Sequence, residues 1–430
     1  MPPLVWQDRS REVLRALESA LDPIGPDREP PAMLLVSLDS FNWVTYNLGL
    51  TEGDRIVAEV LRTLSEAVGQ HGLAAQLDRD EFAVLLPNAT VAQARRLAGA
   101  IQRGVRNIDS GVSGPILSVS IGVRGAEAGQ AANTVIREAG VALDAAKAEG
   151  RGLVKVFEPF MLHALQIHRT IISDLTDAIR GGRIGVAYQP IVDLHSGRIE
   201  GVEVLARWTH PALGSVRPDE FIPLAEDLGV AGELDRHVLA TALGQLKAWQ
   251  ESLDLPDSFT VSVNITPAEL QHFEFIEQVR HALDDAGVEP RHLTLELTEA
   301  SFVAGDDVDA YSLHGLRKLG VGLDIDDFGT GYSSISYLRR LPVTRAKIDR
   351  SLLGNLVEDV GQRRFLNAVV NLVTACGLSA VIEGIETAEQ AEILRRLGAT
   401  LGQGYYFSRP LPADAMTELL VSGLPSAVVR

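Results

Sequence analysis

The chain has 430 residues, 46% of them hydrophobic, one cysteine, and a formal net charge of −18. That length accommodates two or three domains with real cores. The lone cysteine excludes a disulfide scaffold and a cysteine metal site, and the acidic balance argues against a broad nucleic-acid-binding surface. No apolar run approaches the ~18 residues of a membrane span. The N-terminus, MPPLVWQDRSREVL, lacks the basic-then-apolar layout of a signal peptide. The expected setting is therefore cytoplasmic and reducing. The charge is uneven: residues 1–158 hold 16 Lys+Arg and 20 Asp+Glu, whereas the remainder holds 23 and 37.

Residues 3–21 have helical spacing, with Leu14, Leu17 and Leu21 on one face, which predicts a packing stripe. The Pro-rich stretch DPIGPDREPPA breaks it. MLLVSLDSF then reads as a buried strand, GDRIVAEVLRTLSEAV as a helix, and QLDRDEFAVLLP as a hairpin. TVAQARRLAGAIQRGV is a second helix, ILSVSIGVRG a strand, and NTVIREAGVALDAAKAEG a third helix. This is an α+β pattern of about 155 residues, an ordinary domain size. Residues 159–180 read as a connecting helix. From GGR onward, strand-like and helix-like runs alternate over about 240 residues: IGVAYQPI, IEGVEVLARW, FTVSVNIT, LTLELTE, VGLDIDDF, RAKID, SAVIEGI and LGQGYYF. That alternation predicts an α/β barrel rather than an open sheet. No strand-anchored GxGxxG and no GxxxxGK[ST] occurs, so the usual nucleotide loops are absent. Cys376, in NLVTACGLSAVI, reads as core filler.

Six of these runs end in a carboxylate or an amide. They supply Glu203, Asn264, Glu296, Asp326 with Asp327, Lys347 with Asp349, and Glu383. The C-terminal strand ends of such a barrel carry its site. An oxygen-rich rim holds hard divalent cations such as Mg²⁺ or Mn²⁺, which points to metal-assisted chemistry on a phosphate ester. Asp324 and Asp326 share a strand face, while Asp327 points elsewhere or begins the loop. Arg207 can fork onto a phosphate oxygen and Lys347 can steady a water or the phosphate. For each acid alone, helix capping by a strand-end residue is an equal alternative; the ordered set favours a site.

The segment YQPIVDLHSGRIEGVEVLARWTHPALGSVRPDEFIPLAED, followed in order by VSVNITPAEL, LTLELTEASF, DIDDFGTGYSSISYLRRLPVTRAKIDRS, VIEGIET and GQGYYFSRP, resembles the EAL-type cyclic di-GMP phosphodiesterases. The signature tripeptide reads EVL here, with its Glu kept. The resemblance implies a TIM-like (β/α)8 barrel over 174–425, after a connecting helix at 159–173. It implies that Glu203, Asn264, Glu296 and Asp326 bind one Mg²⁺ or Mn²⁺, that Asp326 bridges to a second, and that Asp327 completes that second site. Lys347 would orient the attacking water, and Glu383 would act as base. Gln189, Leu205, Arg207 and Gln403 would contact the substrate, cyclic di-GMP. Glu299, Asp349 and Glu386 would support the site, and the loop DFGTGYSS (327–334) would couple it to contacts of a homodimer. Inactive receptors of this family lose several of these positions; none is lost here.

Residues 1–158 resemble the GGDEF domain, the diguanylate cyclase fold, in LLVSLDSFNWVTYNLGLTEGDRIVAEVLRTL, DRDEFAVLLP, SVSIGV and ALDAAKAEGRG. Its working residues are mostly replaced. The paired glycines fall on Asp78 and Arg79, the first metal Asp on Ser37, and the guanine-reading Asn on Thr45. The early LTG-x-x-NR block reads LVWQDRS, and Gly69 and Gly72 stand where the Arg-x-x-Asp inhibitory site would be. Asp54, Asp80, Glu81, Lys147 and Arg151 persist. The resemblance implies a catalytically silent regulatory or dimerising module, with GTP as a candidate ligand. The whole then reads as a cyclic di-GMP phosphodiesterase yielding linear pGpG. The rival readings are a non-catalytic cyclic di-GMP receptor and a bifunctional enzyme.

Overall fold

The structure is a computed structural model that describes residues 4–22, 29–109, 117–127, 129–272, 274–299, 307–330 and 341–425. The chain separates into two compact units, Met1–Thr170 and Ile171–Arg430.

In the first unit the helices are α1 (Leu4–Leu21), α2 (Phe41–Leu48), α3 (Leu50–Val68), α4 (Val91–Arg106) and α5 (Ala132–Ala148). The strands are β1 (Ala32–Leu38), β2 (Leu73–Gln76), β3 (Glu81–Leu86), β4 (Val119–Gly125) and β5 (Val154–Val156). They form one sheet in the order β2-β3-β1-β4-β5. Strand alternation sends Leu34, Val36, Phe82 and Val84 to one face, against Ile56, Val60 and Leu64 of α3 and Ala98 and Ile101 of α4. Met33, Ala83 and Leu85 go to the other, against Val13 and Leu17 of α1 and Val135 and Ala139 of α5. The expected N-terminal stripe is therefore core, with Leu14 and Leu21 at its margin.

Helix α6 (Pro159–Arg180) leads on to the second unit, a closed barrel. Its strands are β6 (Ile184–Asp193), β7 (Ile199–His210), β8 (Gly214–Val216), β9 (Thr260–Asn264), β10 (Leu293–Thr298), β11 (Gly322–Phe328), β12 (Arg345–Ile348), β13 (Ser379–Ile382) and β14 (Leu401–Gly402). The order is β6-β14-β13-β12-β11-β10-β9-β7-β8, and pairing of β6 with β7 closes the ring and leaves β8 as a flap. Around it lie α7 (Pro218–Asp227), α8 (Ala231–Ser252), α9 (Pro267–Leu270), α10 (Phe275–Ala286), α11 (Asp307–Leu319), α12 (Val360–Ala375), α13 (Ala388–Arg396) and α14 (Ala413–Ser422).

Three details extend or correct the sequence expectations. First, the α/β barrel forms as expected, and within it β6 runs antiparallel to both β7 and β14. Only the turn Leu194–Arg198 joins β6 to β7, and a parallel pair needs a crossover of a dozen or more residues. Second, LGQGYYF is a strand over Leu401–Gly402 alone. Gly404 has φ +158°, and a Cβ there would lie 2.1 Å from the Ile385 carbonyl oxygen, so the backbones cross too closely for the strand to continue. Third, Cys376 is half-buried at the C-cap of α12 rather than in the core. Among the described residues, no helix is long and apolar enough to cross a membrane.

The barrel interior is polar in two levels. Arg345 donates from Nε to Asp324 Oδ2 at 2.6 Å and from Nη2 to Ser262 Oγ and Thr294 Oγ1, both at 3.2 Å. Two residues further along the same four strands stand Asn264, Glu296, Asp326 and Lys347, the next level on the same face. Asp324 is thus taken up by Arg345 and by the Thr344 hydroxyl, 3.1 Å away.

Candidate metal centre

Lys347 sits at the middle of this rim with its side chain 1% exposed. Its Nζ lies 2.8 Å from Glu296 Oε2, 2.8 Å from Glu383 Oε1, 3.0 Å from Asp326 Oδ1 and 3.2 Å from Glu203 Oε2. Four strands thereby deliver one ammonium and three carboxylates, and the residue just past β13 delivers the fourth carboxylate. Burial pulls Lys347 toward neutrality, but the four carboxylates outweigh it and hold the ammonium charged. Burial likewise pushes Glu296 and Asp326 up, and Glu383 up to about 7. Glu203 goes the other way. Burial raises it, but Lys347 and hydrogen bonds from Gln403 and Asn264 prevail. One ammonium against four carboxylates leaves the centre short of positive charge.

The donor atoms are spaced for cations. Carboxylate oxygens of Glu203, Glu296 and Asp326 lie within 4.8 Å of one another, and so do those of Asp326, Asp327 and Glu383. Asp326 belongs to both groups. Glu296 Oε1 is buried without a hydrogen-bond partner, an orphan that a cation would satisfy. Asn264 donates from Nδ2 to Glu203 Oε1 at 2.9 Å, which leaves its carbonyl oxygen as a neutral donor to the same group. The set is all oxygen, hard and anionic, and fits Mg²⁺ or Mn²⁺.

Two adjacent acids enter one cluster because β11 is irregular. Its register against β12 slips between Ile325 and Phe328, and Asp327 is left-handed at φ 54°. A regular strand sends neighbours to opposite faces; the bulge turns Asp327 back toward Asp326 and Glu383. The expectation that Asp327 points elsewhere is corrected accordingly. Glu299 holds the next turn, accepting from the Gly329 N–H at 2.8 Å. Residues 331–334 of the DFGTGYSS loop lie outside the described residues.

Gln189 and Gln403 form the other wall. Gln403 Nε2 donates to Gln189 Oε1 at 2.9 Å and to Glu203 Oε2 at 2.7 Å, and Gln189 Nε2 donates to the Ser408 carbonyl at 3.2 Å. Leu205 and Arg207 follow Glu203 on its face of β7. Arg207 is half-buried and donates to the Ala206 carbonyl. It has no carboxylate partner among the described residues, which suits it to an anionic ligand. The two supporting residues differ: burial and the Asp326 charge push the Asp327 carboxyl up, Asp349 lies close enough for its charge to add to that push, and Glu386 lies outside the cluster. Asp349 caps a short turn by accepting from the Ser351 N–H at 2.9 Å. Glu386 is exposed before the Thr387 capping box, and no bond among the described residues ties its carboxylate to the centre. Sequence reading missed Arg345 with its partners Ser262 and Thr294, and did not assign Asp324 to them. Their signal was a polar residue two positions before Asn264, Glu296, Asp326 and Lys347.

The first unit presents a different picture. Ser37 is buried in β1 and pairs in register with Glu81. Asp39, two residues on, is locked by Ser118 Oγ and Ser120 Oγ at 2.7 Å and by the Gly152 N–H at 3.0 Å. Thr45 donates to the Phe41 carbonyl, and Asp54 is exposed on α3. Asp78 and Arg79 make the β2–β3 turn, with the Arg79 guanidinium 5.9 Å from the Phe41 ring centre. Burial pushes Asp80 up, and Lys147 pairs with Glu81 at 3.2 Å.

Residues 172–410 match the family described as EAL domain, and residues 10–153 match diguanylate cyclase, GGDEF domain. The chain is 33% identical over 402 residues to the bifunctional diguanylate cyclase/cyclic di-GMP phosphodiesterase MucR of Pseudomonas aeruginosa, covering 93% of this chain and 58% of that protein. It is 34% identical over 395 residues to the cyclic di-GMP phosphodiesterase NbdA of the same organism, covering 90% and 50%. The solved PaMucR phosphodiesterase, in a c-di-GMP complex, is similar at 37% identity and TM-score 0.55, over 57% of this chain and 99% of that one. The EAL enzyme Bd1971 bound to cAMP and cyclic di-GMP is similar at 30% identity and TM-score 0.57, over 60% and 70%. The chain spans about half the length of the curated relatives it matches. The chain belongs to the EAL domain family, with a GGDEF domain ahead of its EAL domain.

Proposed function

We propose that the barrel hydrolyses cyclic di-GMP to linear pGpG. The convergence of Glu203, Glu296, Asp326 and Glu383 on Lys347 carries this reading. The relatives named as cyclic di-GMP phosphodiesterases support the substrate. Glu203, Asn264, Glu296 and Asp326 would hold one Mg²⁺ or Mn²⁺, and Asp326 with Asp327 a second. Such cations, when bound, would supply charge neutralisation of the phosphodiester and a more acidic water. Lys347 would orient the attacking water toward phosphorus. Glu383, beside Asp326 and Asp327, would accept the water's proton. The water oxygen would bond to phosphorus as the P–O3′ bond breaks; the proton taken up by Glu383, returned through solvent, would end on the leaving 3′ oxygen, and the product keeps a 5′-phosphate. Arg207 forks onto a non-bridging phosphate oxygen, while Gln189, Leu205 and Gln403 hold the ligand against the rim. Glu299 fixes the turn that carries Asp327.

Residues 1–158 are proposed as a cyclase-silent regulatory and dimerising module with GTP as a candidate ligand, joined through 159–173 to the enzymatic domain at 174–425. A homodimer and a cytoplasmic setting belong to this proposal. The test is incubation of the purified chain with cyclic di-GMP in Mg²⁺ or Mn²⁺. We expect pGpG, and its loss in Glu203→Ala. Tight binding without pGpG in either metal would make the barrel a receptor instead.

A further inference from the structure

The barrel buries another carboxylate, for which the described residues offer no ion-pair partner. Asp235, on α8, is 9% exposed. Its Oδ2 accepts two hydrogen bonds from one residue, Thr266: the backbone N–H at 2.8 Å and the hydroxyl at 2.9 Å. The charged groups facing it are Glu269 of α9 and Glu226 of α7, both of its own sign. Arg236, its neighbour on α8, pairs with Glu269 at 3.7 Å. Burial, with those two acids, pushes the Asp235 carboxyl up to about 7. An apolar residue would fill this place at lower cost.

Thr266 lies two residues beyond Asn264, at the N-cap of α9. Between them, the Ile265 N–H donates to the Glu296 carbonyl at 3.0 Å, the last ladder bond of this edge. After Thr266 comes Pro267, which has no N–H, and α9 is only four residues long. The end of β9 is therefore held by β10 on one side and by Asp235 on the other. The Asn264 amide, in turn, meets Glu203.

We propose that Asp235 is a positioning residue, which clamps Thr266 and so holds the Asn264 carboxamide in line with Glu203 and Glu296 for the cation. The proposal rests on the reading of that centre as a cation site. Ligand geometry is set by groups behind the ligands, and their loss typically weakens metal affinity about 10–100-fold.

The test is calorimetric titration of the metal-stripped full chain with Mn²⁺, with thermal unfolding in EDTA to show that each variant is folded. Asp235→Leu removes the acceptor, and we expect about 10–100-fold weaker Mn²⁺ binding. Asp235→Asn keeps an acceptor oxygen, and we expect less than about 3-fold weakening. Folded Asp235→Leu with wild-type affinity overturns the clamp, and so does Asp235→Asn falling as far as Asp235→Leu. Should Asp235→Leu not fold, Thr266→Val removes only the hydroxyl donor. Its expected outcome is weakening of about 3–10-fold, a bond's worth, and wild-type affinity again overturns the proposal. A wild-type chain that takes up no Mn²⁺ removes the cation centre itself, which is a different failure from a clamp without effect.

Discussion

Lys347 decides the electrostatics of the rim. Among the described residues it alone pairs with Glu203, Glu296, Asp326 and Glu383. Removing one partner of a buried ion cluster leaves the others uncompensated, at about 3–5 kcal/mol. Lys347→Met should therefore lose about that much stability in EDTA, and Mn²⁺ should restore most of it. Urea unfolding in the two conditions checks this, and a loss that Mn²⁺ leaves untouched argues against cations at these carboxylates. Asp235 makes a separate prediction about pH. Its carboxyl lies near 7 when folded and at the ordinary 3.8 when unfolded. Between those values the folded chain holds a proton that the unfolded chain has released, so stability falls as pH rises through that window. Asparagine does not titrate. Asp235→Asn should thus gain about 2–3 kcal/mol on the wild type between pH 5 and pH 8, measured without metal. An unchanged difference between the two pH values would remove the buried charge from the account.

The elements show why some of this was legible in sequence and some was not. The last residues of each run named Glu203, Asn264, Glu296, Asp326 and Lys347 as the rim, and period-two alternation put Asp324 and Asp326 on one face. The same alternation misdirected Asp327, because a bulge obeys no period. Only the run of two acids before Phe-Gly hinted at it. The reversal of β6 was written in the short turn with Gly197, at φ 69°, but it lay outside a pattern of strands joined by helices. Asp235 was invisible because an acid on a helix is ordinarily solvated; only the third dimension sets it behind β9. The bulge yields its own prediction. Asparagine tolerates the left-handed region and alanine does not, at about 1–2 kcal/mol. Both Asp327→Asn and Asp327→Ala should lose phosphodiesterase activity, since both lack the carboxylate. Only Asp327→Ala should also shift the urea midpoint downward by that amount. Equal midpoints would show that the turn at Asp327 relaxes freely.

At the scale of the whole molecule, one chain joins the acidic centre of the barrel to a GGDEF domain that is proposed to be cyclase-silent. In the first unit Ser37 is buried where the family resemblance expects a metal Asp, and Lys147 pairs with Glu81 at 3.2 Å. Arg79 lies against Phe41, on the turn where the resemblance expects glycines that admit a nucleotide. On the proposal of a cyclase-silent domain the two changes remove different requirements: Ser37 the charge for a cation, and Asp78 with Arg79 the space. Restoring the space does not restore the charge, so Asp78→Gly with Arg79→Gly should still make no cyclic di-GMP from GTP and Mg²⁺. The barrel complicates the measurement, because an active phosphodiesterase in the same chain would consume any product. The assay therefore belongs in a Glu203→Ala background, where cyclic di-GMP would accumulate, with pGpG followed in parallel in the intact chain. We expect neither nucleotide from GTP in either protein. Cyclic di-GMP from Glu203→Ala would show that the first domain is a working cyclase and that the chain runs both halves of the cycle.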